Sequence, residues 1–204
     1  MDTNKCDSEN PDYRSRLVAM EFNDGQDPSL FVATPQLEAM SFLVHLAATR
    51  KGQESRSMMT LDVQRAYFNA RATIDVFISI LKEDQEPGDE HRVGKLRLCL
   101  YGTRDAAFNW SETVAAQLKS CGFIRGTAFP SVSHHPEDQV ALMVHGDDYL
   151  CSGPEAALVK FRNKLSEAFE IKSEIIGEGS HLGKETTILN PLIRVTKDGW
   201  EIEA

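Results

Sequence analysis

Apolar positions along the chain recur with two different periods. MMTLDV (58–63), VALMVH (140–145) and YLCS (149–152) are compact apolar runs, and IDVFISIL (74–81) is rich in β-branched residues, so each predicts a strand. RVGKLRLCL (92–100) alternates and predicts another, as do SVSHH (131–135), EIKSEII (170–176), LIRVT (192–196) and WEIEA (200–204). Helical spacing appears three times. Behind Thr34 as N-cap and Pro35 as first helical residue, Leu37, Met40, Leu43, Val44 and Ala47 share one face of a helix ending near Lys51 and Gly52. Ala106, Trp110, Val114 and Leu118 mark a second helix stopped at Gly122. Leu158, Phe161, Leu165 and Ala168 or Phe169 mark a third, opened by Gly153 and Pro154. Upstream, RSRLVAMEF (14–22) suits a half-exposed strand before the turn-like NDGQDP, and residues 1–12 show no periodicity and read as a disordered leading segment.

The order strand, helix, strand, strand, helix, strand over about 58–176 is that of a split βαβ unit. This is an α+β arrangement, an antiparallel sheet with two helices on one face. In it the first and third strands are neighbours. Asp62, at the end of the first, would then face the turn at Gly146, Asp147 and Asp148. The chain also ends inside a hairpin around Lys197, Asp198 and Gly199, which reads as a fragment of something longer.

With 41% hydrophobic and 26% charged residues, the 204-residue chain can form one sizeable core or two small lobes, which excludes disordered, collagen and coiled-coil classes. Lys plus Arg number 22 and Asp plus Glu 31, for a net charge of −9. A protein that holds a polyanion by bulk attraction leans the other way, so nucleic acid would need a local site or basic neighbours outside this chain. The apolar runs fall far short of the roughly 20 residues that span a bilayer, and the polar start is no secretory signal. No membrane partner is expected, and the location is read as intracellular. Cys6, Cys99, Cys121 and Cys151 are widely spaced and read as reduced thiols. His134 and His135, adjacent on one strand, point to opposite faces and cannot chelate together, which argues against a zinc site with His145.

The carboxylates carry the chemistry. Three of them packed together repel one another and raise each other's pKa values, so such a cluster makes sense with divalent cations. Two such ions about 4 Å apart can activate an attacking oxygen and stabilise a leaving one in nucleotidyl transfer. A bare Asp-Asp pair is also common in turns, which leaves an ordinary structural role open.

Four ordered blocks narrow the choice. YRSRLVA (13–19), LDVQRAYFNA (61–70), LYGTRDAAFNW (100–110) and VHGDDYLCSG (144–153) resemble the reverse transcriptase domain of copia-type LTR retrotransposons, with fitting order and spacing from about Tyr13 to Thr196. The resemblance implies a polymerase palm over 58–204 with inserted fingers-like strands near 74–100, and a partial fingers subdomain over 13–57. It implies DNA synthesis from deoxynucleoside triphosphates (dNTPs) on an RNA or DNA template with a primer, using two Mg²⁺ (or Mn²⁺) ions. Asp62, Asp147 and Asp148 match the metal-binding catalytic aspartates, and Val63 would offer a backbone carbonyl. Tyr67 matches the aromatic that excludes a 2′-hydroxyl, Arg14 and Arg16 the basic positions that meet the triphosphate, and Arg104 a nucleotide or template contact. His145 and Gly146 stand where the family's YVDD hairpin positions the primer. The thumb, RNase H and integrase parts of a Pol polyprotein, the last for DNA integration, would lie outside this chain. The missing thumb and neighbouring domains would supply much of the grip on nucleic acid. Replication in cytoplasmic particles would follow, with a nuclear location as the alternative.

Two departures stand out. His145 replaces the aromatic of YVDD, and in LYGTRDAAFNW Asp105 and Ala107 replace the glutamine and proline of the family's LYGLKQAPRAW. Asp105 is expected to put an extra, repelling carboxylate near the template or nucleotide. Two rival readings are a silent or domesticated retroelement fragment acting as an interaction module, and a phospho-acceptor signalling domain. The second needs a doubly wound parallel sheet, which the successive strands from 131 to 152 do not supply.

Overall fold

The structure, a computed structural model, describes residues 2–4, 13–15, 17–21, 30, 32, 35, 37–49 and 55–203. In chain order the elements are β1 (Asp2–Asn4), β2 (Tyr13–Ser15), α1 (Leu37–Ala48), β3 (Ser57–Val63), β4 (Phe77–Ser79), β5 (Val93–Lys95), α2 (Ala106–Ser120), β6 (Ile124–Arg125) and β7 (Val132–His135). They continue with β8 (Val140–His145), β9 (Asp148–Gly153), α3 (Glu155–Ser166), β10 (Ile171–Ile176), β11 (Glu185–Thr187), β12 (Leu192–Thr196) and β13 (Gly199–Glu203). Contacts divide the chain into two units, one of Met1–Phe31 with Tyr67–Ser111, the other of Val32–Ala66 with Glu112–Ala204.

The second unit is built on a six-stranded antiparallel sheet in the order β10-β3-β9-β8-β7-β6. Its first four strands realise the expected split βαβ unit, with β3 and β9 side by side. One face carries Met58, Met143, Leu150 and Ile176, which pack with Met40, Leu43, Val44 and Ala47 of α1 and with Ile188 and Ile193. The other face, with Met59, Leu61, Leu142 and Cys151, lies under α3, whose Leu158, Phe161 and Leu165 are buried. Each of these large side chains contributes roughly 1.5–3 kcal/mol by leaving water. Phe123, just past α2, packs on Phe161, and Lys164 of α3 donates to the Ser120 carbonyl. Helix α2 stops as expected: the amides of Gly122 and Phe123 turn back onto the carbonyls of Lys119 and Leu118. A small sheet, β11-β12-β13, completes this unit.

Several expectations are revised. Helix α1 packs on β3, β8 and β9, opposite α3, so helices cover both faces of the sheet. It ends at Ala48, where the Thr49 amide and hydroxyl bond back to the His45 carbonyl. In the first unit, the run at 74–81 yields only β4 and that at 92–100 only β5 and a bridge between Arg71 and Leu98. The two strands pair only with each other and have no buried face, so nothing extends them. Residues 2–4, without visible periodicity, pair with β2. Thr34, Arg16, the NDGQDP turn, Lys51, Gly52 and Cys6 lie outside the described residues.

Candidate active site

Strand β3 alternates strictly, so Met58, Thr60 and Asp62 share one face while Met59, Leu61 and Val63 share the other. Antiparallel register then sets the neighbours. Asp62 lies directly opposite Asp148 of β9, Asp148 opposite His145 of β8, and Asp62 opposite Lys172 of β10. Lys172, Asp62, Asp148 and His145 therefore form one row across four strands, on the face shared with α1. The next row inward is tied down: Thr186 of β11 donates to Glu174 Oε2 at 3.0 Å, and its hydroxyl lies 3.4 Å from that of Thr60.

Asp147 joins the row through a two-residue turn. His145 pairs with Asp148, leaving Gly146 and Asp147 as the loop, and only Gly146 has positive φ, at 62°. That is the type II′ pattern, which requires glycine first. The Val63 amide donates to the Asp147 carbonyl at 3.0 Å and so pins the turn to the end of β3. A Cβ at 146 would meet no atom within 4 Å, so backbone strain alone opposes a side chain there. Gly146→Ala is expected to cost about 1–2 kcal/mol with the fold retained, readable from the denaturation midpoint.

The row is electrostatically loaded. Burial raises the Asp148 carboxyl above the ordinary range, the charges of Asp147 and Asp62 raise it further, and His145 opposes them. Like charges directly opposite one another on paired strands are destabilising. Gln64 relieves part of this by donating from Nε2 to Asp62 Oδ2 at 3.1 Å, while its amide bonds to the Glu170 carbonyl. Among the described residues no three His, Cys, Asp or Glu side chains close into a metal-holding group. Backbone register sets Asp62 beside Asp148, and the turn places Asp147 next to them along the chain.

The other candidate residues belong to the first unit. Tyr67, half-buried on a 3₁₀ turn (Ala66–Asn69), packs its ring against Tyr101 with centroids 4.6 Å apart. Gly102 takes φ 89°, and a Cβ there would collide with the Ala19 carbonyl, whose amide donates to the Tyr101 carbonyl at 2.7 Å. Arg104, half-buried ahead of α2, donates its amide to Glu21 Oε2 at 2.8 Å. Arg14 lies on β2, opposite Thr3. Asp105 departs from expectation: it is 0% exposed and turned onto Thr73 and Asn109, so it adds no carboxylate to the surface. Of the histidines, His134 and His135 are successive residues of β7, as expected of side chains on opposite faces.

The sequence matches the family described as reverse transcriptase (RNA-dependent DNA polymerase) over residues 2–198. The chain belongs to this family. Among curated proteins, this reverse transcriptase chain is 29% identical over 205 residues to the retrovirus-related Pol polyprotein from transposon RE1 of Arabidopsis thaliana, covering 89% of the chain and 13% of that protein. The corresponding RE2 polyprotein of Arabidopsis thaliana is 27% identical, with 89% and 14% covered. The polyprotein from transposon TNT 1-94 of Nicotiana tabacum is 24% identical over 167 residues, with 78% and 12% covered. The chain thus spans about an eighth of the length of these relatives. Apo telomerase from Candida tropicalis, truncated from its C-terminal domain, shares the fold with a TM-score of 0.50 at 10% identity over 83% of this chain and 40% of that one. No helix among the described residues is long and apolar enough to cross a membrane.

Within this reverse transcriptase fold, three contributors escape a reading of the sequence alone. Lys172 enters the row only through the register of β10, Gln64 touches Asp62 only because β3 ends there, and Asp105 is drawn inward by Thr73, 32 residues away. Only the spacing of Asp105 and Asn109, four residues apart at a helix start, offered a signal.

Proposed function

We propose that this chain is the palm and partial fingers of a copia-type reverse transcriptase, extending a primer on an RNA or DNA template. The juxtaposition of Asp62 and Asp148 on one face, with Asp147 pinned beside them by the Val63 amide, carries the reading. Burial pushes Asp148 upward and the charges of Asp147 and Asp62 push it further, and divalent cations would offset the part that comes from the neighbouring carboxylates. Asp62, Asp147, Asp148 and the Val63 carbonyl would hold them. Two Mg²⁺ or Mn²⁺ ions there would favour ionisation of the primer 3′-hydroxyl and stabilise the charge developing on the leaving pyrophosphate.

The chain's own side chains supply placement. Tyr67, backed by Tyr101, would lie under the deoxyribose and exclude a 2′-hydroxyl, while Arg14, Arg16 and Arg104 would meet the triphosphate or template. His145 and Gly146 would position the primer end, with imidazole in place of the aromatic of YVDD. The six-stranded sheet is assigned to the palm, and the early segment with the inserted strands near 74–100 to the fingers. Thumb, RNase H and integrase parts of a Pol polyprotein would complete the assembly, in cytoplasmic particles.

Primer extension on an RNA template with Mg²⁺ or Mn²⁺, comparing the chain with its Asp62→Asn variant, tests this. Extension that disappears in the variant supports the polymerase reading. Equal extension in both removes the aspartate row from the chemistry.

A further inference from the structure

Asp105 is the one carboxylate among the described residues that the fold buries completely. Its Oδ2 accepts from the Thr73 amide at 3.1 Å and from Asn109 Nδ2 at 2.6 Å, and the Thr73 hydroxyl lies 3.2 Å from it and 3.1 Å from Asn109 Oδ1. Its Oδ1 has no hydrogen-bond partner among the described residues. Burying a carboxylate with one oxygen unmatched opposes folding, so a gain elsewhere must accompany it.

The segment that Asp105 grips is the one that bears Tyr67. From the 3₁₀ turn the chain runs through Ala70, whose amide returns to the Tyr67 carbonyl and whose carbonyl takes the Cys99 amide at 2.9 Å. The Cys99 thiol donates to the Arg71 carbonyl, the Ala72 amide to the Arg97 carbonyl, and at Thr73 the segment is held by Asp105. Asn109 closes the network, its Nδ2 3.5 Å from Cys99 Sγ. Tyr67 and Thr73 are thus fastened at two points to one stretch of chain: Tyr67 by its ring on Tyr101, and Thr73 by Asp105 four residues later.

We propose that Asp105 is a positioning residue for nucleotide selection: it fixes the Tyr67–Thr73 segment so that the Tyr67 ring keeps its place against Tyr101, and thereby sets discrimination between deoxyribose and ribose. The proposal rests on the reading of Tyr67 as the residue under the sugar. Asparagine at 105 can offer an oxygen to the same donors, alanine cannot, and valine at 73 removes the hydroxyl while preserving shape and amide.

Two measurements on the full chain test it. Hydrogen exchange should show the Thr73 amide losing protection by about tenfold or more in Asp105→Ala, and little in Asp105→Asn. Steady-state extension with dATP and ATP should show Asp105→Ala and Thr73→Val losing about five- to tenfold of their preference for dATP, chiefly through a lower KM for ATP with kcat for dATP within about twofold, and Asp105→Asn restoring it. Unchanged exchange at Thr73 in Asp105→Ala overturns the clamp. If Tyr67→Ala erases sugar preference while Asp105→Ala keeps it, the positioning role is overturned and the reading of Tyr67 stands. If Tyr67→Ala leaves sugar preference intact, the reading of Tyr67 fails first, and the proposal with it.

Discussion

Asp148→Asn should make the metal-free protein more heat-stable while abolishing primer extension. The Asp148 carboxyl is raised by burial and then by the charges of Asp147 and Asp62, so its ionisation opposes folding. For a carboxyl raised in the folded state, the unfolded chain releases its proton first. Stability is therefore lowest above the raised value and is regained as the pH falls from there towards the ordinary carboxylate range. Asparagine removes that penalty. The melting temperature at neutral pH should rise by a few degrees, and the stabilisation on acidification over that window should shrink. Extension should fall about a thousandfold, since a metal-held carboxylate supports several kcal/mol of transition-state stabilisation. Mn²⁺ should raise the melting temperature of the wild type and much less that of the variant. Equal stabilisation of both by Mn²⁺, or a variant that melts lower, would count against the carboxylate row as the cation site.

The second large effect concerns Gly102. Alanine there places a Cβ on the Ala19 carbonyl and within 2.7 Å of Val18 Cγ1, in a backbone conformation of φ 89° that L side chains rarely adopt. The clash has no soft side to yield, because the Ala19 amide is bonded to the Tyr101 carbonyl at 2.7 Å. A loss of about 3 kcal/mol or more is expected, seen as a lower denaturation midpoint. Tyr101 and Arg104 flank the glycine, so the KM for dNTP should rise in whatever fraction stays folded. A variant as stable as the wild type would mean that residues 17–21 do not cross Gly102.

Much of this architecture is legible along the chain because local patterns set it. Periodicity alone identifies Met40, Leu43, Val44 and Ala47 of α1 and Trp110, Val114 and Leu118 of α2 as buried. The order of strands and helices is enough to make β3 and β9 neighbours, and so to bring Asp62 to Asp148. What escapes is partnership across long separations. Nothing local tells α1 which face of the sheet to cover, or shows that Thr186 will bridge Thr60 and Glu174. Asp105 is misread for a related reason. Aspartate is usually exposed, and here the donor pair at Thr73, brought in by the fold, joins Asn109 in making burial tolerable.

The pleat gives the aspartate row a reading frame. Alternate residues of a strand face opposite sides, so one residue inserted in β9 between Asp148 and Leu150 would turn Asp148 towards α3, away from Asp62. Two inserted residues would restore its side. Single-residue insertions in β3 or β9 should then act like frameshifts, silencing the chemistry without removing any carboxylate, while the link between β9 and β10, which runs through α3, is under no such parity rule. Length variation among working relatives should accordingly gather outside these two strands.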